Sequence, residues 1–161
     1  MPATYEPIAS TTLGSNAASL TLSDIPGTFT DLVLIVTGHV TSSDYVTVRV
    51  NGDTGNNYSR TFISGSGSTV VSLRDSNISF YYASIGTSST ALGTSRIQFM
   101  SYANTNVHKT MLVNGGSAGA YVQNHVALWR STAAITSITV LGGAGNLGSG
   151  FTASLFGVKA A

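Results

Sequence analysis

The chain has no cysteine among its 161 residues. That excludes a disulfide framework, a thiolate zinc site and an iron–sulfur cluster. None is needed for stability, because a chain of this length buries roughly 70 per cent of its unfolded surface in one core. Charge is scarce too: 8% of residues are charged and 42% hydrophobic, where about 25 per cent charged is usual. A composition this apolar excludes disorder. Seven Lys and Arg against six Asp and Glu leave a net charge of +1, so the basic footprint of a nucleic-acid-binding protein is missing. The longest clearly apolar run, residues 32–36, falls far short of a membrane span. The opening MPATYEPIAS has neither the basic start nor the apolar stretch of an export signal. The expectation is a soluble protein made in a cytoplasm, with no nucleic-acid partner and no membrane.

Hydroxyl groups take the place of charge, with 44 serines and threonines in the sequence. A weakly charged, hydroxyl-rich exterior offers little electrostatic resistance to association. The few charges are also unevenly placed, because all six acids (Glu6, Asp24, Asp31, Asp44, Asp53 and Asp75) precede residue 76.

Helical periodicity is almost absent, whereas period-2 alternation recurs between turn signals. In DYVTVRVNG, Val46, Val48 and Val50 fall on one face while Tyr45, Thr47 and Arg49 fall on the other. Similar strands are expected at 58–63, 78–83, 96–102, 108–113, 121–129, 135–141 and 151–158, and the continuous run 32–36 reads as a strand buried on both faces. Strands of this number and spacing predict an all-β fold, an antiparallel β-sandwich of about ten short strands with a jelly-roll-like arrangement. Residues 1–161 read as a single domain. The segment 1–10 is expected to be an arm or an edge strand, since Pro2 and Pro7 discourage ladder pairing while Tyr5 and Ile8 supply apolar partner contacts.

Several motifs resemble catalytic or ligand sites. Gly143, Gly145 and Gly148 spell G-x-G-x-x-G after a strand, but an alternating strand pattern follows where a dinucleotide site needs a helix and then an acid. Gly115–Gly119 spells G-x-S-x-G around Ser117 with His125 downstream, but no acid follows Asp75 to complete a triad. Both read as loops or turns, so no catalytic residue, no cofactor site and no enzyme activity is expected. The loop 51–57 (NGDTGNN) has calcium-type oxygens but a single carboxylate, Asp53, where calcium sites usually recruit more, and turn chemistry accounts for every residue. His39, His108 and His125 show no ligand spacing, so no metal site is expected. Tyr81, Tyr82, Tyr102, Tyr121 and Trp129 are either core aromatics or a contact surface for a sugar or a protein.

The segments YEPIASTTLGS (5–15), FTDLVLIV (29–36), VRVNGDTGNNYS (48–59) and ITSITVLGGAGNLGSGFTASLFGVK (135–159), taken in order, resemble small β-sandwich virion structural proteins of tailed bacteriophages. The resemblance spans nearly the whole chain and carries no catalytic residues. It implies either a head decoration (cement) protein that binds the major capsid protein, or a tail fibre or spike module that binds a receptor or glycan. The first is favoured by a chain with its own initiating Met and no coiled-coil, collagen-like or β-helical shaft. A homotrimer located in the virion is the corresponding expectation.

Overall fold

A computed structural model describes residues 4–42, 45–85 and 92–159. All its regular structure is antiparallel strand: β1 (Tyr5–Thr12), β2 (Ser19–Leu22), β3 (Asp31–Gly38), β4 (Thr47–Val50), β5 (Tyr58–Gly65), β6 (Val70–Ile78), β7 (Tyr81–Tyr82), β8 (Gly93–Met100), β9 (Lys109–Ser117), β10 (Tyr121–Trp129), β11 (Ile138–Leu141) and β12 (Thr152–Val158). They form an eight-stranded sheet, in the order β1-β12-β3-β8-β9-β10-β5-β6, and a four-stranded sheet, β2-β11-β4-β7. The two make an all-β sandwich of jelly-roll-like connectivity, as the alternation of the sequence predicts.

Alternation also decides what each sheet buries. On the small sheet, the cross-strand rows Leu22–Ile138–Val50 and Leu20–Val140–Val48–Tyr81 face inward. They meet Leu32, Leu34 and Val36 of β3, Ile97 and Phe99 of β8, Met111 and Val113 of β9, and Leu155 of β12, all in one buried cluster. Each such aliphatic side chain stabilises the fold by about 1.5–3 kcal/mol on burial. Tyr58 ties strand to turn, because its hydroxyl accepts from the Val50 N–H at 3.2 Å and donates to the Asp53 carbonyl at 3.2 Å. Lys109 is buried at the start of β9 with its ammonium donating to the carbonyls of Asn104, Val107 and Thr132 at 2.6, 2.8 and 3.0 Å.

The structure decides between the two readings of the first segment and corrects several other local expectations. The segment 1–10 does not leave the sandwich as an arm in its described part: Tyr5–Thr12 is the edge strand β1, paired with β12. Pro7 lacks a ladder donor, and the register shifts between Pro7 and Ala9, so Ile8 bulges out of the pairing and packs against the core. The expected strand 78–83 dissolves into the end of β6 and the two-residue β7, separated by a bend, with Asn77 and Ser84 at positive φ on either side. Most of β6 was invisible to alternation because neither of its faces is buried. Residues Gly115 and Gly116 were expected in a turn but lie inside β9. A Cβ on Gly116 would approach the Tyr121 carbonyl oxygen to 2.1 Å, so that pairing requires glycine. Residues 142–150 are not a hairpin; they carry the chain from β11 in the small sheet to β12 in the large one. Strand β3 is less buried than expected, since Ile35 is 39% exposed on its outer side.

Candidate functional site

The outer face of the eight-stranded sheet is a regular surface turned away from the small sheet. Register places its side chains in rows across the strands. One row runs Ile35–Arg96–Asn114–Asn124–Ile63–Ser72, from β3 to β6. The next runs Val33–Gln98–Leu112–Val126–Thr61–Arg74 over the same strands. On the other side of the first row lies Thr94–Gly116–Val122–Gly65. Two of those four positions have no side chain, so the sheet is low there and Arg96, Asn114 and Asn124 stand as the wall of a groove.

That groove has a volume of about 640 Å³ and is also lined by Ile35, Thr94 and Val122. A second depression of about 440 Å³ shares Asn114 and Asn124 with it and extends over Ile63, Leu112 and Val126. A third of about 330 Å³ shares Thr61 and Val126 with the second and ends at Arg74. The three form a continuous track from β8 to β6.

The polar groups of the track are held in place. The Asn114 amide donates to the Asn124 carbonyl oxygen, which leaves an Asn114 acceptor and an Asn124 donor side by side. Arg96 donates to the Gln98 side-chain oxygen at 3.2 Å, and Gln98 donates to Asp31 at 3.0 Å. Asp31 also accepts the Ser101 N–H at 2.8 Å. Tyr5 lies at the rim, 49% exposed, with its hydroxyl 3.5 Å from Arg96. Of the two partner contacts expected from the sequence, Tyr5 therefore borders this face and Ile8 is half-buried against the core. Exposed aliphatic side chains fill the gaps, with Val122, Val126 and Ile63 at 62%, 55% and 49% exposure.

The G-x-S-x-G segment borders the groove through Gly115–Ala118, and His125 borders the second depression, but they form no catalytic pair. Ser117 and His125 both point into the interior, but Ser117 pairs with Tyr121 and His125 with Val113, which sets them roughly 13 Å apart along the strands. The His125 Nε2 instead meets Ser84 Oγ at 3.0 Å and the Gln123 side-chain oxygen at 3.1 Å. Burial, with the nearby Arg60 guanidinium, pushes this imidazole down to about 4, against a smaller upward pull from Asp75. Gly145 and Gly148 pack against Ser42 and His39, where any Cβ would clash, and the chain then enters β12 rather than a helix.

In the loop 51–57, Asp53 accepts from Gly55 N–H at 2.8 Å, Asn57 Nδ2 at 2.9 Å and Trp129 Nε1 at 2.6 Å. Burial pushes its carboxyl up, but these three donated hydrogen bonds outweigh that and hold it below the usual range. Among the described residues no three His, Asp or Glu side chains gather as a metal site. Of the five aromatics singled out, Tyr81, Tyr102 and Trp129 are core residues. Tyr82 and Tyr121 sit with Tyr45 at the open side between the sheets, where the Arg60 guanidinium lies 3.7 Å from the Tyr82 ring centroid. Of the five, Tyr121 also borders the groove, and the other four do not line the track.

No protein-family model matches the chain, and no curated protein does either. Among solved structures it is similar to an exo-inulinase from Aspergillus awamori, at 13% identity and a TM-score of 0.48, over 96% of this chain and 29% of the inulinase. The chain thus spans less than a third of that enzyme. It is similar to a toad ovary galectin solved with thio-digalactose, at 8% identity and a TM-score of 0.41, over 85% of this chain and 98% of the galectin. A Caenorhabditis elegans galectin is similar at 11% identity and a TM-score of 0.40, over 91% and 94% of the two chains.

Proposed function

We propose that this chain is a recognition module of a tailed-phage particle and that it binds carbohydrate on the outer face of its eight-stranded sheet. The observation that carries the reading is the fixed cross-strand row Arg96–Asn114–Asn124 standing over a shallow groove. A sugar presents neighbouring hydroxyls that each donate and accept. The Asn114 acceptor, the Asn124 donor and the guanidinium of Arg96 match that pattern, and they are ordered before any ligand arrives. Recognition rather than hydrolysis fits the same face, because Asp31 is its only described carboxylate and is engaged by Gln98 and Ser101, whereas glycoside hydrolysis ordinarily takes two flanking the bond. The virion setting rests on the ordered segments that resemble phage structural proteins.

Binding to an array of glycans, followed by calorimetry on the best of them, tests the proposal. Asn114→Ala and Asn124→Ala should each weaken binding by about tenfold, the effect of about one lost hydrogen bond. A folded protein that binds no glycan, or one whose binding survives both substitutions, removes the reading.

A second reading has its own observation. The exposed aliphatic side chains of Val122, Val126 and Ile63 on this face suit a protein partner, which is how a trimeric cement protein would hold the major capsid protein. Particles lacking the protein would then rupture at lower temperature while still adsorbing to host cells. Stable heads that fail to adsorb favour the glycan reading.

A further inference from the structure

We propose that the ligand of this face is an anionic oligosaccharide, with its acidic groups taken by Arg96 and Arg74 at the two ends of the track; this rests on reading the face as a carbohydrate site. Two ion pairs occur among the described residues, Arg60–Asp75 and Lys159–Glu6, and neither involves these arginines. The other described acids already have partners: Asp24 accepts from Ser23, Asp31 from Gln98 and Ser101, and Asp53 from three donors. Arg96 and Arg74 are therefore the cations of a face that supplies neither with a carboxylate partner.

Both are oriented by neutral groups that leave donors over. Arg74 uses Nε on the Thr61 hydroxyl at 3.2 Å, so both terminal nitrogens remain. Arg96 uses Nη2 on Gln98 and Tyr5, so Nε and Nη1 remain as donors on separate edges of the guanidinium. The two terminal nitrogens of Arg74 form a fork that matches the two oxygens of a uronate or a sugar sulfate, and Arg96 offers single charge-assisted donors to the same groups. The arginines stand four strands apart, about 19 Å at the usual spacing. Between them no carboxylate lines the track, which is formed mainly by amides, hydroxyls and aliphatic side chains and bordered by Arg60, already paired with Asp75. A chain of sugars fits that span; a single sugar reaches one arginine only.

The test uses three probes on the full chain: a uronic-acid hexasaccharide, a sulfated hexasaccharide and a neutral glucose hexasaccharide, each titrated by calorimetry. At least one acidic probe should bind about tenfold tighter than the neutral one, and which of the two does so identifies the acidic group. Arg96→Gln and Arg74→Gln should each reduce acidic-probe affinity by about tenfold while the melting temperature holds. Raising salt from about 50 to about 500 mM should shrink the advantage. Equal binding of neutral and acidic probes, or acidic binding that survives both arginine substitutions, overturns this inference and leaves the carbohydrate reading standing. Failure of all three probes and of the glycan array removes both.

Discussion

Acidification is expected to destabilise this protein through one imidazole before the carboxylates protonate. His125 is 3% exposed on the inner face of β10, with Ser84 and Gln123 at Nε2 and no partner for Nδ1 among the described residues. Burial first, and the Arg60 charge second, lower it from 6.5 to about 4 in the folded state. The unfolded chain leaves the ring in water near its ordinary value. Between those two values the unfolded state holds a proton that the folded state does not, so stability falls as pH drops through that window. A gap from 6.5 to about 4, at about 1.4 kcal/mol per pH unit, removes about 3 kcal/mol by pH 4. For a domain of this size that is a large share of the total.

Urea midpoints at about pH 7 and pH 4.5, measured for the native chain and for His125→Gln, isolate the effect. The variant should be less stable at neutral pH, having lost the fitted ring, but should lose much less on acidification. Because His39 and His108 are present in both proteins, their contribution cancels. The reasoning is refuted if the His125 ring titrates near 6.5 by NMR in the folded protein, or if the variant shows the same acid loss.

Further outcomes follow from packing and hydrogen bonding. Asp53→Ala should cost about 2–3 kcal/mol in chemical denaturation, because it strips three donors at once and leaves the Trp129 N–H buried without an acceptor. Gly157→Ala should cost about 1–3 kcal/mol, since the new Cβ would lie 2.3 Å from the Phe29 ring; an unchanged melting temperature would mean Phe29 moves freely. Leu34→Ala, at a fully buried position of β3, should cost about 2–5 kcal/mol by calorimetric unfolding.

The fold class was legible because most strands bury one face and so write alternation into the sequence. Where burial fails, the signal fails with it. Strand β6 has no buried face and shows no alternation, and β7 is two residues long. The outer-face row was partly within reach: a hairpin turning at 118–120 pairs Asn114 with Asn124. Arg96 joins that row through the consecutive strands β8 and β9, but Arg74, on the β5–β6 pair, reaches the same surface only because β5 pairs with β10, a strand distant in sequence, which spacing cannot reveal. Glycine-rich G-x-S-x-G drew notice for chemistry, yet its glycines serve close strand pairing in β9 and the flatness of the groove.

The position of β12 has a consequence in time. It lies between β1 and β3, so the first strand of the chain has no partner in its sheet until one of the last is made, and Ser10 meets Ser154 across 144 residues. Until then β3, with its run of Leu, Val and Ile, presents an unsatisfied edge during synthesis. Folding gated by such distant pairing is slow, on a scale of roughly milliseconds to seconds. A ribosome-bound or truncated chain without residues 152–158 therefore exposes the most adhesive edge of the molecule, and removing β12 should yield aggregate rather than a smaller sandwich.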